Sequence, residues 1–164
     1  MNIVSLLDRA ATRDPARPAL LEGSHPLLHY GGLRDGAARV ARWLLAQGLQ
    51  PGDRIGLYLP NAPAYLLGMV GALWAGLAIV PINAKLHPRE VDYIVAHAGL
   101  RCLITALGEA EGLDLPTGVL RCSSAALWQA SSQGPLAPLF ESHPEDLAWL
   151  FYTSGTPGTP NGVM

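Results

Sequence analysis

The stretch that decides the fold is YTSGTPGTPNGVM, residues 152–164, which follows an apolar run at residues 147–151. Its hydroxyl side chains can donate hydrogen bonds to anionic oxygens, and its glycines let backbone N–H groups approach a ligand without a Cβ in the way. The hydroxyl residues are Thr153, Ser154, Thr156 and Thr159, and the glycines are Gly155, Gly158 and Gly162. In open α/β sheets, ligands bind beyond the carboxyl ends of the strands. The stretch therefore predicts a phosphate loop at the end of a buried strand.

Composition alone would also fit a flexible tail rich in Ser, Thr, Gly and Pro. The order of the residues argues against that interpretation, because it resembles the signature loop of the adenylate-forming superfamily. This superfamily includes acyl-CoA synthetases, aryl-CoA ligases, luciferases and the adenylation domains of peptide synthetases. Its pattern reads Tyr-Thr-Ser-Gly-Thr-Thr/Ser-Gly-x-Pro-Lys-Gly-Val, and nine of the eleven compared positions agree, the departures being Pro157 and Asn161. A Walker phosphate loop is excluded, because no Gly-Lys-Ser/Thr follows at the required spacing.

The resemblance extends along the whole chain and is strongest to the acyl-CoA and aryl-CoA ligases. Six further blocks are similar to landmarks of the family and stand in its order. They are His29-Tyr30, Gly52-Asp53-Arg54, Leu59-Pro60-Asn61, Gly71-Ala72-Leu73-Trp74-Ala75-Gly76, Val80-Pro81-Ile82-Asn83, and the pair Leu86 and Glu90.

The resemblance implies an ATP-dependent acid–thiol ligase. In that family a carboxylate attacks the α-phosphate of ATP, pyrophosphate leaves with Mg²⁺, and a thiol such as that of CoA takes the acyl group from the adenylate. The loop stabilises the departing pyrophosphate with hydroxyls, backbone N–H groups and a lysine. By resemblance, Thr153, Ser154, Gly155, Thr156 and Gly158 hold the phosphates, Pro160 and Gly162 shape the turn, and Asn161 stands where the family has lysine.

Both departures weaken this cradle. Asn161 offers a dipole where the family offers a cation, and a charge-assisted hydrogen bond is about twice as strong as a neutral one. Pro157 removes one hydroxyl and one backbone N–H together. Losing two or three contacts of roughly 1 to 3 kcal/mol each would cost about two to four orders of magnitude in stabilisation of pyrophosphate, so we expect weak ATP binding.

The resemblance covers the N-terminal portion of the large AMP-binding domain. The adenine-binding segment, the metal-associated acidic residue, the acyl pocket and the small C-terminal domain with its catalytic lysine correspond to later sequence. We therefore expect residues 1–164 to form one α/β domain, an N-terminal fragment that completes neither half-reaction and has no catalytic residue of its own. The alternative is an interaction or scaffold domain that kept the fold and lost nucleotide chemistry.

Composition indicates a globular, apolar domain. Of 164 residues, 49% are hydrophobic and 15% are charged, which is the opposite of a disordered chain. Eleven basic and thirteen acidic residues give a net charge of -2 without a basic cluster, which excludes a nucleic-acid-binding class. The first residues carry Asp8 and Arg9 where a signal peptide needs an apolar core, so we expect a cytoplasmic protein.

No charged residue lies between Arg54 and Lys85, a run long enough to suggest a membrane span. Prolines at 60, 63 and 81 divide it, and the longest piece, of about thirteen residues, would reach only about 20 Å as a helix. We interpret the run as strand, buried helix and strand. Gly68, Gly71, Ala72 and Gly76 leave one side of that helix flat, which favours contact of the helix with the sheet inside the domain over a dimer interface.

Strand and helix patterns alternate along the chain. Periodicity predicts one helix that starts near residue 3 and three further helices at 33–47, 64–75 and 88–98. It also predicts a hairpin at 18–30 and strands at 55–59, 77–80, 100–105, 119–122 and 147–151. Asn2 is predicted to cap the first helix, and residues 131–144 to form an exposed loop. This order predicts a mostly parallel sheet flanked by helices on both faces. A fragment of such a sheet has uncovered strand edges, so we expect self-association.

Other chemistry-bearing residues form no recognised constellation. The five histidines lack metal-ligand spacing, and Glu145 and Asp146 are neighbours that would point to opposite faces of a strand. Cys102 and Cys122 lie in apolar runs and are predicted to be buried free thiols, although two cysteines also permit one disulfide. Core or interface positions are predicted for the tryptophans, Trp43, Trp74, Trp128 and Trp149.

Overall fold

The computed structural model describes residues 2–106, 111–153 and 161–163. Helices and strands alternate through the first two-thirds of the chain, as the periodicity predicts, with ends shifted by up to three residues. The elements are α1 (Ser5–Arg13), β1 (Pro18–Glu22), β2 (His25–His29), α2 (Tyr30–Ala46), β3 (Arg54–Tyr58), α3 (Pro63–Trp74), β4 (Ala78–Ile82), α4 (Pro88–Ala98), β5 (Cys102–Thr105), β6 (Leu120–Ser123), α5 (Ser124–Ser132), β7 (Phe151–Thr153) and β8 (Asn161–Val163).

The central sheet has four parallel strands in the order β4-β3-β5-β6. Strand β3 pairs with β4 on one side and with β5 on the other, so Ile55 lies between Ile79 and Cys102. Neither β3 nor β5 contains a charged residue after Arg54, because both of their faces are covered.

Successive strand residues point to opposite faces, and each face carries its own helices. Helices α2, α3 and α5 cover the face that contains Ile55 and Leu57. Helix α4 covers the other face, where it packs on Tyr58 and Leu103. The predicted α/β class, with a parallel sheet between helices, is confirmed.

The flat side of α3 is used inside the domain. A methyl group added at Gly71 would lie 2.5 Å from Val40 Cγ1 and 3.2 Å from the carbonyl oxygen of Ala37, both on α2. One at Gly68 would lie 3.1 Å from Leu127 of α5 and 3.3 Å from Leu57 of β3. Gly68 thus packs on the sheet as predicted, whereas Gly71 lets two helices approach each other.

Helix α5 was not predicted, and its last residues overlap the predicted loop at 131–144. Ser123 caps it, its Oγ accepting a hydrogen bond from Ala126 N at 3.1 Å. Its one fully buried side chain, Leu127, packs in the core with α2 and α3. The helix has little amphipathic pattern of its own, so tertiary contacts stabilise it.

The segment that follows α5 is anchored rather than loosely exposed. Ala137 is buried, donates its N–H to Ala38 O at 3.1 Å and accepts a hydrogen bond from Trp74 Nε1 at 3.0 Å. Phe140 N donates to Trp74 O at 3.0 Å. Leu136 nevertheless remains half exposed, so the prediction of an exposed loop is correct for only part of this segment.

Asn2 does not cap a helix end by itself. It is buried, and its Nδ2 donates to Leu73 O at 2.6 Å and to Phe140 O at 3.1 Å. Its Oδ1 accepts a hydrogen bond from Val4 N, and the helix begins only at Ser5. The amide therefore joins the N-terminus to α3 and to the segment after α5, a role that only the folded chain reveals.

The predicted hairpin at residues 18–30 is present as the antiparallel pair β1 and β2. Across residues 2–106, 111–153 and 161–163, no helix is both long enough and apolar enough to cross a membrane.

Candidate functional site

The chain runs along the outer edge of β4 just before the signature stretch begins. Residues 148–150 run parallel to this strand, with Ile79 N donating to Ala148 O and Leu150 N donating to Ile79 O, both at 2.9 Å. Leu150 is buried, and Trp149 packs against the core. The predicted apolar strand at 147–151 is therefore only a short contact with the sheet edge, and Phe151 is half exposed.

The stretch then forms an antiparallel hairpin. Strand β7 pairs with β8 in the register Phe151 to Val163, Tyr152 to Gly162 and Thr153 to Asn161. Residues 154–160 join the two strands. The sequence predicted a loop after a strand, and the structure adds a second strand, β8, which returns antiparallel to β7.

The structure places three of the eight predicted site residues. Thr153 ends β7, Asn161 begins β8 directly opposite, and Gly162 follows Asn161. The other five lie outside the described residues: Ser154, Gly155, Thr156, Gly158 and Pro160. Their positions beyond the carboxyl edge of the sheet, and their contacts with phosphate, stay predictions. The root of the loop is thus the opposed pair Thr153 and Asn161.

Gly162 leaves room for the ring of Tyr152. A methyl group at Gly162 would lie 3.3 Å from Leu150 Cδ1 and 3.4 Å from Tyr152 Cζ. The first contact would require Leu150 to shift by a few tenths of an ångström, and the second would be ordinary van der Waals contact, so the ring of Tyr152 lies close against this glycine.

Tyr152 also connects the hairpin to α4. Its hydroxyl lies 2.6 Å from His97 Nδ1, and the two rings meet edge to face with centroids 5.7 Å apart. His97 in turn stacks on Tyr93, one helical turn earlier, at a centroid distance of 5.3 Å and an interplanar angle of 20°. Sequence reasoning missed this aromatic cluster. The four-residue spacing of Tyr93 and His97 could have indicated a stacked pair on α4, but not its contact with Tyr152.

The hydroxyl of Tyr152 is protonated at neutral pH, since an ordinary tyrosine has a pKa of about 10. Burial raises the pKa of Tyr152, the charge of Tyr93 raises it further, and Arg54 opposes both effects. A protonated phenol can donate, so we assign Tyr152 as the donor and His97 Nδ1 as the acceptor.

Several cavities lie elsewhere on the described part of the domain, two of which are larger than the others. One of about 390 Å³ lies between the β1–β2 hairpin and the start of α3, and Leu20, Leu27 and Tyr65 are among its lining residues. Another of about 550 Å³ lies between α2 and α5, with Arg42 and Trp43 in its wall. Neither cavity is lined by a described residue of β7 or β8.

Carboxylates and histidines do not assemble into a metal site within the part of the chain that the structure describes. Asp146 has a local role, because its Oδ2 accepts a hydrogen bond from His143 N at 2.8 Å. His87 likewise caps α4, its Nδ1 accepting from Arg89 N at 3.3 Å.

The two cysteines are free thiols on neighbouring strands. Cys122 pairs with Ile104, two residues beyond Cys102 on the same face of β5. A hydrogen bond to Cys122 and burial raise the pKa of Cys102, and the same bond lowers the pKa of Cys122. Cys102 is fully buried whereas Cys122 is only partly so, which makes Cys122 the more reactive thiol.

We expect one thiol per folded chain to react with an aromatic disulfide reagent at pH 7.5, because only Cys122 combines access with a lowered pKa. The variant Cys122→Ser should remove the fast phase, and both thiols should react in guanidinium. The assignment is wrong if both thiols of the folded protein react at similar rates.

The fold and the hairpin define a class: an α/β domain whose parallel sheet supports a loop rich in hydroxyl residues and glycine. Comparison with known proteins identifies the family within this class. The model of the family described as AMP-binding enzyme matches residues 7–164. The chain therefore belongs to the AMP-binding enzyme family.

Relatives of known activity include CoA ligases. The chain is 33% identical to sulfoacetate–CoA ligase of Cupriavidus necator over 99% of its own length and 34% of that protein. It is 35% identical to feruloyl-CoA synthase of Amycolatopsis sp over 95% of its own length and 31% of that protein. Fatty acyl CoA synthetase of Mycobacterium tuberculosis superposes on 99% of the chain with a TM-score of 0.87 and 29% identity, and the match covers 34% of that chain. The chain thus spans about a third of the length of these relatives.

Proposed function

We propose that the chain is the N-terminal part of the large domain of an ATP-dependent acid–thiol ligase of the acyl-CoA synthetase type. Its loop at residues 153–162 would hold the β- and γ-phosphates of ATP and stabilise the pyrophosphate that leaves. The observation that carries this proposal is the hairpin, because its residues agree with the family's phosphate loop at nine of eleven positions and its strands are held beside β4.

Each part of the hairpin has a defined task in this proposal. The hydroxyls of Thr153, Ser154 and Thr156 donate hydrogen bonds to phosphate oxygens, and the glycines expose backbone N–H groups to them. Charge on pyrophosphate grows as the bond to the α-phosphate breaks, so donors placed at the loop stabilise the transition state more than the ground state. Because residues 152–164 contain no carboxylate, Mg²⁺ would reach this loop on the phosphates themselves, where it neutralises charge.

The chemistry of the whole ligase is a proposal drawn from the relatives. A carboxylic acid would be the substrate, CoA the thiol acceptor, and fatty acid metabolism a setting consistent with the mycobacterial neighbour. The free thiols of Cys102 and Cys122 support a reducing compartment such as the cytoplasm. Residues 1–164 would form a single subdomain, and its sheet edges would favour self-association.

Calorimetric titration of the chain with Mg·ATP and with Mg·pyrophosphate tests the proposal. We expect weak binding of both, with dissociation constants of about 1 mM, since Pro157 and Asn161 weaken the phosphate contacts of the loop. The double variant Ser154→Ala/Thr156→Ala should abolish binding, because each lost donor to a charged oxygen is worth roughly 1.5 to 3 kcal/mol. Thr117→Ala is the matched control, since it removes an exposed hydroxyl far from the hairpin in sequence.

The second candidate is a scaffold domain that retains the fold without nucleotide chemistry. Pro157 and Asn161 favour it, because Pro157 removes a hydroxyl and a backbone N–H, and Asn161 stands as a neutral amide where the family has a cation. A folded chain that gives no binding signal with either ligand at 10 mM, a concentration roughly ten times the expected constant, would contradict the ligase proposal and support the scaffold.

A further inference from the structure

We propose that His97 and Tyr93 of α4 are positioning residues for the phosphate loop, and that they act through Tyr152 on β7. This inference deepens the proposed function, since the loop they would position is the one assigned to the phosphates. It concerns residues outside the signature's hydroxyls and glycines, on an element 55 residues earlier in the chain.

Helix α4 is a rigid support. Glu90 Oε2 accepts a hydrogen bond from His87 N at 2.9 Å, which completes a capping box at its start. Gly99 closes its other end in the left-handed conformation, with φ of 61°. Its inner side is buried on the sheet through Val91, Ile94, Val95 and Ala98. A helix fixed at both ends and along one side presents its outer residues in constant positions.

The outer side of α4 carries the two aromatic rings. Tyr93 and His97 are four residues apart, so they lie one above the other and stack at 5.3 Å. The stack limits rotation of the imidazole and directs Nδ1 towards β7. The hydroxyl of Tyr152, assigned as the donor, lies 2.6 Å from Nδ1, which is within hydrogen-bond distance.

Tyr152 transmits this restraint to both strands of the hairpin. It belongs to β7, and its ring lies against the bare backbone of Gly162 in β8. The next pair in the register is Thr153 and Asn161, the root of the loop. Within the described residues, the backbone of the hairpin is bonded to the sheet at the bridge of Trp149, and a second polar attachment further along β7 would fix its orientation. The contact with His97 supplies it.

Hydrogen–deuterium exchange of the whole chain tests the inference without any nucleotide. In His97→Ala and in Tyr152→Phe, backbone amides of residues 151–153 and 161–163 should exchange about fivefold faster, since one hydrogen bond of ordinary net strength is lost. Amides of β3 and β5 should be unchanged. His97→Asn should restore most of the protection. Asn Oδ1 is separated from Cα by the same number of bonds as His Nδ1, so it can accept the same hydrogen bond.

The control is His25→Ala, which removes an exposed histidine from β2. It should leave exchange in the hairpin unchanged. The inference is overturned if His97→Ala and Tyr152→Phe leave the hairpin as protected as before. It is also overturned if exchange rises equally in the central sheet, because His97 would then only stabilise the fold.

Mg·ATP titration of the same variants connects the inference to function. Affinity should fall about fivefold in His97→Ala and recover in His97→Asn, as the loop loses and regains its orientation. A hairpin that loosens in a chain that binds no nucleotide would refute the proposed function and keep the positioning role. If the hairpin loosens in these variants but their affinity for Mg·ATP is unchanged, the role of His97 and Tyr93 in binding is refuted.

Discussion

Replacing Asn161 by lysine is expected to raise the affinity of the chain for Mg·ATP about tenfold. The position begins β8, opposite Thr153 at the root of the loop. A lysine there would bring a full charge to the phosphates in place of an amide dipole. The difference between a neutral and a charge-assisted hydrogen bond is roughly 1.4 kcal/mol, which corresponds to one order of magnitude.

Replacing Pro157 by threonine in the same chain should add a second factor of about ten. Threonine restores a hydroxyl and a backbone N–H that proline lacks. The double variant Pro157→Thr/Asn161→Lys would then bind about 100-fold more tightly than the natural sequence, provided that the two contacts are independent. Calorimetry with Mg·ATP and Mg·pyrophosphate at two salt concentrations measures both steps.

Gln50→Lys is the control for charge. It changes net charge by the same amount as Asn161→Lys, but it lies in the exposed turn before β3, at the amino end of the sheet. Its effect should be small and should vanish at 0.5 M salt, where the Debye length is only about 4 Å. Equal gains from both lysines, or no gain from Asn161→Lys, would contradict the assignment of this loop to phosphate.

Replacing Gly71 by alanine is expected to lower the free energy of unfolding by about 2 kcal/mol. The new methyl group would lie 2.5 Å from Val40 Cγ1, 2.7 Å from Val40 Cβ and 3.2 Å from Ala37 O. Val40 is fully buried and β-branched, so it cannot rotate away, and the two helices must separate instead. Overpacking of this kind costs roughly 1 to 3 kcal/mol or more, and it outweighs the gain in helix propensity of about 0.5 to 1 kcal/mol.

Urea unfolding followed by tryptophan fluorescence measures the loss in free energy of unfolding. In thermal unfolding, the same loss should lower the melting temperature by about 4 to 8 °C. Gly32→Ala is the matched control on α2, because the nearest atom to its new methyl group is Leu28 Cδ2 at 3.8 Å. It should be neutral or stabilise the chain by about 0.5 kcal/mol. The close approach of α2 and α3 is refuted if both substitutions have the same effect.

Much of the fold could be predicted because local patterns carry it. Uncharged runs at β3 and β5 indicate strands covered on both faces, and Pro88 and Gly99 mark the ends of α4. Helix α5 was not predicted, because its local pattern is weak. The helix depends instead on the packing of Leu127 with α2 and α3.

The candidate site, like the fold, was predicted from the sequence only in part. The order of hydroxyls, glycines and prolines at residues 152–164 identified the loop and its family without coordinates. The antiparallel return of β8 was not predicted, because a three-residue strand has too few residues to show a period. The contact between Tyr152 and His97 was not predicted either, since nothing local links residues so far apart.

The amino-acid sequence by itself determined the α/β class, the family to which the signature stretch belongs, and the two positions, Pro157 and Asn161, at which the stretch departs from the family pattern. These follow from residue types and from spacing along the chain, which set backbone preferences and which face of an element is buried. Only the tertiary structure decided which buried face meets which neighbour. The approach of Gly71 to Val40, the amide of Asn2 between two carbonyl groups, and Tyr152 on the aromatic stack of α4 all join distant segments. Periodicity specifies that a side chain is covered, whereas shape and hydrogen-bond complementarity in three dimensions select its partner.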